Sequence, residues 1–120
     1  MAETMTTYGL DACALIAYLR AEEGGNTLRM LLKEPDKRFV MHALNLGEVY
    51  YDTLRVAGKD KAHELFADIA LLPIAVVWTV DVPLLESAGK YKPSYRISYA
   101  DAFVLALAEQ EKAIVISTDH

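Results

Sequence analysis

Four short runs of β-branched and apolar residues recur along the chain, at residues 7–10, 38–41, 74–80 and 113–117. Longer stretches with helical patterning separate them. Parallel strands must be joined through such crossovers, so the alternation predicts an α/β domain with a mainly parallel sheet of four or five strands. Helices are expected over both of its faces. In sheets of this kind ligands bind beyond the carboxyl ends of the strands.

The helices are expected at residues 12–22, 27–34, 43–58, 61–72 and 84–88, with a sixth beginning in the stretch SYADAF. Gly24 and Gly25 stop the first, Asn26 caps the second and Gly58 ends the third. Pro35 and Asp36 turn the chain into the second strand. Pro73 opens the third strand, IAVVWTV. Asp81, with Pro83 close behind, starts the fifth helix.

A chain of 120 residues supports one compact domain, here residues 1–120, and no second core. Its 53% hydrophobic content excludes disorder, while its apolar runs fall short of the roughly 20 residues that span a bilayer. The N-terminal MAETMTT lacks the basic start of a secretory signal. Cys13 is the one cysteine, which excludes an internal disulfide and a cysteine-based zinc site. A cytoplasmic protein without a membrane partner is expected. The net charge of −5 argues against a protein that coats itself in nucleic acid, yet it is compatible with a nuclease whose acids gather around a metal. The chain stops directly after its fourth strand, so a fragment lacking further covering chain is expected.

Four acids stand out. Asp11 and Asp119 lie at the exits of the first and fourth strands, where the strand rule places ligands. A cap on the following helix is an equally ordinary role for Asp11, and a solvated loop for Asp119. Asp101 stands third after Ser98, the spacing of a capping box, although a first-turn carboxylate can also face the strand ends. Glu48 falls opposite the apolar stripe of Leu46, Val49, Tyr50 and Leu54, beside Asn45, Asp52 and Arg55. Periodicity alone assigns it to a solvated face.

The segments LDACALIAYL, NLGEVYYDTL, SYADAFVLALA and IVISTD, in that order, resemble the four signature segments of the PIN-domain family. The likeness is greatest to VapC-type toxins of toxin–antitoxin pairs and spans nearly the whole chain. It maps the acidic positions of the family onto Asp11, Glu48, Asp101 and Asp119, with Ser117 or Thr118 orienting the last. The family's final helix and strand are missing beyond His120.

The resemblance implies a metal-dependent endoribonuclease. Four carboxylates within about 5 Å of one another repel by roughly 3 kcal/mol per pair at an effective dielectric near 20. An all-oxygen ligand set suits Mg²⁺ or Mn²⁺. Asp11 and Asp101 are the expected direct ligands, with Glu48 and Asp119 completing the site through water or a second ion. One-ion and two-ion hydrolysis both stay open. The likeness also implies a small antitoxin partner covering the acidic pocket, and a homodimer.

The segment 89–96 carries Lys90, Lys92 and Arg96, interleaved with Tyr91 and Tyr95 and free of acids. It suits RNA, with phosphates on the cations and a base stacked on a tyrosine. A solvated loop with its tyrosines packed on the domain is the competing reading. His42 is expected as a strand-end polar group, His63 as an exposed helix residue, and Cys13 as core. Tyr50, Leu54 and Leu65 suit either a self-association surface or the interior.

The main rival is a non-catalytic binding module on the same fold, its acids serving as caps. A phosphoacceptor receiver domain requires paired acids after the first strand and a lysine after the last, and neither is present. A Ser/His/Asp hydrolase has no nucleophile elbow here.

Overall fold

The computed structural model describes residues 5–95 and 97–117, apart from the side chains of Ser94 and Tyr95. The elements are β1 (Thr6–Leu10), α1 (Ala12–Leu19), a 3₁₀ turn (Glu23–Gly25), α2 (Asn26–Leu31), β2 (Lys37–His42) and α3 (Ala43–Ala57). They continue with α4 (Lys59–Ala70), β3 (Ile74–Val77), α5 (Val82–Tyr95), α6 (Tyr99–Glu111) and β4 (Ile114–Ile116). Four strands in the order β3-β2-β1-β4, all parallel, form one sheet. The expected α/β architecture is the observed one.

Chain direction in the sheet reverses once. From β1 the chain steps outward to β2 and β3, and β4 then joins on the other side of β1. The crevice beyond the carboxyl ends of β1 and β4 is therefore the switch point, where such sheets bind ligands.

The alternation of β2 feeds two cores. Phe39 and Met41 pack with Leu10, Leu15, Leu28, Leu46, Val49 and Leu65 on one face, beneath α1 to α4. Val40 points the other way, among Leu84, Ala88, Phe103 and Leu107 of α5 and α6. Helix α6 is buried along most of its length at Ala102, Phe103, Val104, Ala106, Leu107 and Ala108. It packs on the sheet, α5 and α3 together, which explains a helix apolar on nearly every side. Leu65 thus belongs to the interior, whereas Leu54 is exposed and Tyr50 stacks on Phe66 with ring centroids 5.5 Å apart.

Several boundaries differ from expectation. Helix α1 stops at Leu19, short of Glu22, because Ala21 adopts a left-handed φ of 54° and turns the chain back. Gly25 then lies against α1. Asn26 is the first residue of α2 and not its cap; its side chain accepts a hydrogen bond from Arg29.

Strand β3 ends at Val77 and not at residue 80. Its partner β2 ends at His42, opposite Val77, so the last three residues of the run have no ladder to join. His42 also closes that end of the sheet. The Leu44 N–H donates to its Nδ1 (3.1 Å), which leaves Nε2 to donate to the Thr79 carbonyl (3.0 Å). The ring is 2% exposed and lies 5.0 Å from that of Phe103. It is the strand-end polar group expected, and it caps α3. Helix α5 starts behind Asp81 Oδ1, which accepts from Leu84 N–H (2.9 Å), and runs to Tyr95, well past residue 88. Pro93 falls in its last turn, where it withdraws one N–H from the ladder shortly before the helix ends.

Candidate active site

Strand β1 delivers Asp11 to the switch point, as the N-cap of α1. Ala14 N–H donates to its Oδ1 (2.8 Å), so the capping role is filled. Asp101 arrives from the first turn of α6. There Ser98 Oγ accepts from the Asp101 backbone N–H (3.1 Å), and the Asp101 carboxylate is exposed at the cleft. Both acids thus stand at helix N-termini, whose partial positive charge favours them.

These two acids line a cleft of about 330 Å³ together with Cys13, Ile97, Val104, Leu105, Val115 and Ser117. Residues following β1, on β4 and at the head of α6 therefore share one concavity. Cys13 belongs to it and is half-buried, which corrects its assignment to the core. Burial raises its thiol pKa, and the fields of Asp11, Asp101, Glu48 and Asp52 add to the rise. The sequence signal was the position itself, two residues past a strand-exit acid on the first turn of a helix.

Glu48 comes from α3. Its carboxyl pKa is raised from the ordinary 4.5, first by partial burial and then by the charges of Asp101 and Asp11. Three acids remote in sequence are thus within one another's field. On the polar side of α3, Glu48 itself is exposed, as periodicity assigned, but two of its neighbours there are not. Asn45 on the same side is fully buried, and Asp52 is bonded to Arg20, just past the end of α1, and to Arg55 (2.9 Å). Asn45 and Asp52 thus tie this side of α3 to α6 and to the end of α1, while Glu48 between them stays exposed.

Asn45 was not singled out in the sequence as a site residue. Its Nδ2 donates to the Ala100 carbonyl of α6 (3.1 Å), while its Oδ1 is buried without a partner among the described residues. A buried acceptor left unpaired costs about 1–3 kcal/mol.

Thr118, Asp119 and His120 lie outside the described residues, as does Arg96. Ser117, directly before them, lines the cleft. Residues 89–95 are helical, not a loop. Lys90 Nζ donates to both carboxylate oxygens of Glu109 (3.1 and 3.3 Å) and lies 5.0 Å from the centroid of the Tyr91 ring. Glu109 is eight residues beyond Asp101, about 12 Å along the axis of α6, so this pair holds Lys90 toward the far end of that helix. Tyr91 packs partly buried on the second core. Lys92 Nζ donates to the Ile97 carbonyl (3.2 Å), at the rim of the cleft. His63 is exposed on α4.

The donor set suits a hard divalent cation: carboxylate oxygens, a hydroxyl at Ser117, and mutual repulsion that raises Glu48. Among the described residues, no three acid, histidine or cysteine side chains stand close enough together to hold a metal as placed.

The Glu48 shift has a testable consequence. A carboxyl that holds its proton more tightly in the folded chain contributes stability that is fully present below the unfolded pKa and is lost as pH rises through the folded one. Glu48→Gln keeps helix propensity and removes the charge. Without added metal it should therefore raise Tm at pH 7 and leave it unchanged below about pH 4, where wild type is protonated too. A Tm–pH series on both proteins checks this; a lower Tm for the variant at pH 7 would contradict the repulsion.

The sequence pattern of the PIN domain matches residues 8–120. No curated protein matches the chain in sequence. Among solved structures, the chain is similar to Mycobacterium tuberculosis VapC20, described as a sarcin-ricin loop cleaving toxin. The TM-score is 0.74 at 17% identity, over 93% of this chain and 89% of that one. It is also similar to VapBC-1 from nontypeable Haemophilus influenzae, with a TM-score of 0.69 at 15% identity over 92% and 84% of the two chains. A third structure, VapBC2 from Rickettsia felis bound to a DNA fragment from its promoter, gives 0.67 at 17% identity over 92% and 86%. At such identities the likeness concerns the fold.

Proposed function

The chain belongs to the PIN-domain family, and from that premise we propose that it is a Mg²⁺- or Mn²⁺-dependent endoribonuclease, the toxin of a toxin–antitoxin pair. The observation that carries the proposal is the electrostatic meeting of Asp11, Glu48 and Asp101 at the switch point of the sheet. A capping role alone gives no reason for the charges of Asp101 and Asp11 to reach Glu48, which they do in addition to its partial desolvation. The similarity of fold to a toxin described as cleaving the sarcin-ricin loop supports RNA as the substrate class.

Asp11 and Asp101 would hold the ion directly, with Glu48 and Asp119 completing the set. A bound divalent ion supplies a water of lowered pKa and offsets charge on the phosphate. Glu48 has a raised proton affinity, which suits it to take up a proton from water. The N-termini of α1 and α6 point toward the cleft and favour an anionic phosphodiester there. Lys92 at the rim supplies a cation for the RNA backbone, and Arg96, Tyr91 and Tyr95 are proposed as further RNA contacts. Lys90 would serve RNA only by leaving Glu109.

A protein antitoxin and a second copy of the chain are the proposed partners. Exposed Tyr51, Leu54, Val56 and Phe66 on α3 and α4 offer apolar surface for such contacts. No helix among the described residues is long and apolar enough to cross a membrane.

The test is incubation of the purified chain with total RNA, with and without Mn²⁺, beside Asp101→Asn. Fragmentation that needs both the ion and the carboxylate is expected. Cutting without metal, or surviving the substitution, would refute the mechanism. Mn²⁺-independent RNA binding with no cutting would favour the non-catalytic module.

A further inference from the structure

The two helices that carry Glu48 and Asp101 are joined by one buried side chain. Asn45 is the third residue of α3, one helical turn before Glu48 on the same side. Its Nδ2 donates to the carbonyl of Ala100, the residue immediately before Asp101. A 3.1 Å bond between groups 55 residues apart in sequence thus links the first turns of α3 and α6. We propose that Asn45 is a positioning residue, whose buried amide sets the separation and orientation of Glu48 and Asp101. The proposal rests on the metal-binding reading of those acids.

Two features argue that the amide is kept for more than packing. Its Oδ1 accepts nothing among the described residues, although the residue is fully buried. An apolar residue of similar shape would fill the space and leave no orphaned acceptor, so stability alone selects against Asn here. The bond is also directional. The Ala100 carbonyl accepts, so the nitrogen end of the amide must face α6 and the oxygen end must turn away. A leucine would pack in the same volume, but it would leave α6 able to rotate or slide against α3.

Such freedom bears on the acids and on little else. Both helices are anchored independently on the sheet, α3 by Leu46 and Val49 in one core and α6 by Phe103 and Leu107 in the other. The contact between their first turns lies where the two cores diverge. Asn45 supplies a polar tie at that seam. Groups that support metal ligands from behind in this way typically contribute 10–100-fold to metal affinity.

The experiment measures Mn²⁺ affinity without RNA, by electron paramagnetic resonance of the free ion, on the full chain and on Asn45→Leu, with Tm recorded for each. Asn45→Leu is expected to bind Mn²⁺ at least about tenfold more weakly while melting no lower than wild type. A purely structural asparagine predicts the opposite pattern, a lower Tm with unchanged affinity. Affinity within about twofold of wild type would overturn the proposal. If leucine is not accommodated, Asn45→Ala removes the same bond in a smaller side chain. The same weakening of Mn²⁺ binding is expected of it, and wild-type affinity in that variant would equally overturn the proposal. Wild type failing to bind Mn²⁺ would instead remove the reading of the acids on which the proposal stands, and the two failures are thereby distinguished.

Discussion

Asp11→Asn should abolish Mn²⁺-dependent RNA cleavage, by about 10³-fold or more, while leaving the melting temperature nearly unchanged. The two halves of that expectation have different causes. Asp11 Oδ1 caps α1 by accepting from Ala14 N–H, and asparagine offers a carbonyl oxygen in the same place. Asn and Asp are equally good N-caps, so the capping interaction survives. The negative charge does not survive. A cation held by one fewer carboxylate loses the attraction that offsets the repulsion among Glu48, Asp101 and Asp11, and Lewis-acid stabilisation is worth several kcal/mol, or about 10³ in rate for 4 kcal/mol. Asp11→Ala provides the contrast, because it removes both roles and should also lose about 0.5–2 kcal/mol of stability. Gel-based cleavage assays and thermal melts on the three proteins decide the matter. Wild-type cleavage by Asp11→Asn would reduce Asp11 to a cap.

The same separation applies at Asp101. The helix cap there uses the Asp101 backbone N–H with Ser98 Oγ. The capping-box spacing visible in SYADAF therefore exists, yet it does not consume the carboxylate. The cap uses the backbone of Asp101, which leaves its carboxylate to the cation proposed above.

How far the sequence could be read depended on whether a feature was local. Alternation of strands and helices is local, and it was enough for the parallel sheet and for the placement of Asp11 at a strand exit. The end of β3 was not local, because Trp78 to Val80 continue the β-branched pattern while the partner strand has already turned into α3. Asn45 was illegible for a related reason. A helical wheel ranks faces by polarity and cannot tell a polar face turned to solvent from one turned toward two other helices. Asn45 and Asp52 meet α6 and the end of α1, whereas Glu48 between them is exposed, as periodicity assigned. Cys13 failed in the opposite direction, an apolar-looking residue placed in the cleft by its register on α1. The role proposed for Glu48 comes from family resemblance, where periodicity offers only a solvated face.

Gly25→Ala should lower Tm by about 4–12 °C, while the same chemical change at Gly47 should raise it slightly. A Cβ at Gly25 would lie 2.6 Å from the carbonyl carbon and oxygen of Ala17 and from Tyr18 Cα, all backbone atoms of α1. No side-chain rotamer can relieve that overlap; α1 or the turn before α2 must move. Overpacking of this kind costs about 1–3 kcal/mol or more, and at this chain length each kcal/mol is worth roughly 4 °C. Gly47 lies within α3 with nothing inside 4 Å of an added Cβ. There alanine restricts the unfolded chain and improves helix propensity, a gain of about 0.5–1 kcal/mol. The displacement at Gly25 also has a functional consequence. Helix α1 has only eight residues, so a shift imposed near Tyr18 is carried along a short rigid rod to Asp11 at its head. Misplacing a reacting group by about 1 Å can cost 10²-fold in rate. Even at temperatures where it remains folded, Gly25→Ala should therefore cleave RNA more slowly than wild type. Equal melting temperatures for Gly25→Ala and wild type would show that α1 does not lie against the turn before α2 as described, and the route from that turn to Asp11 would go with it.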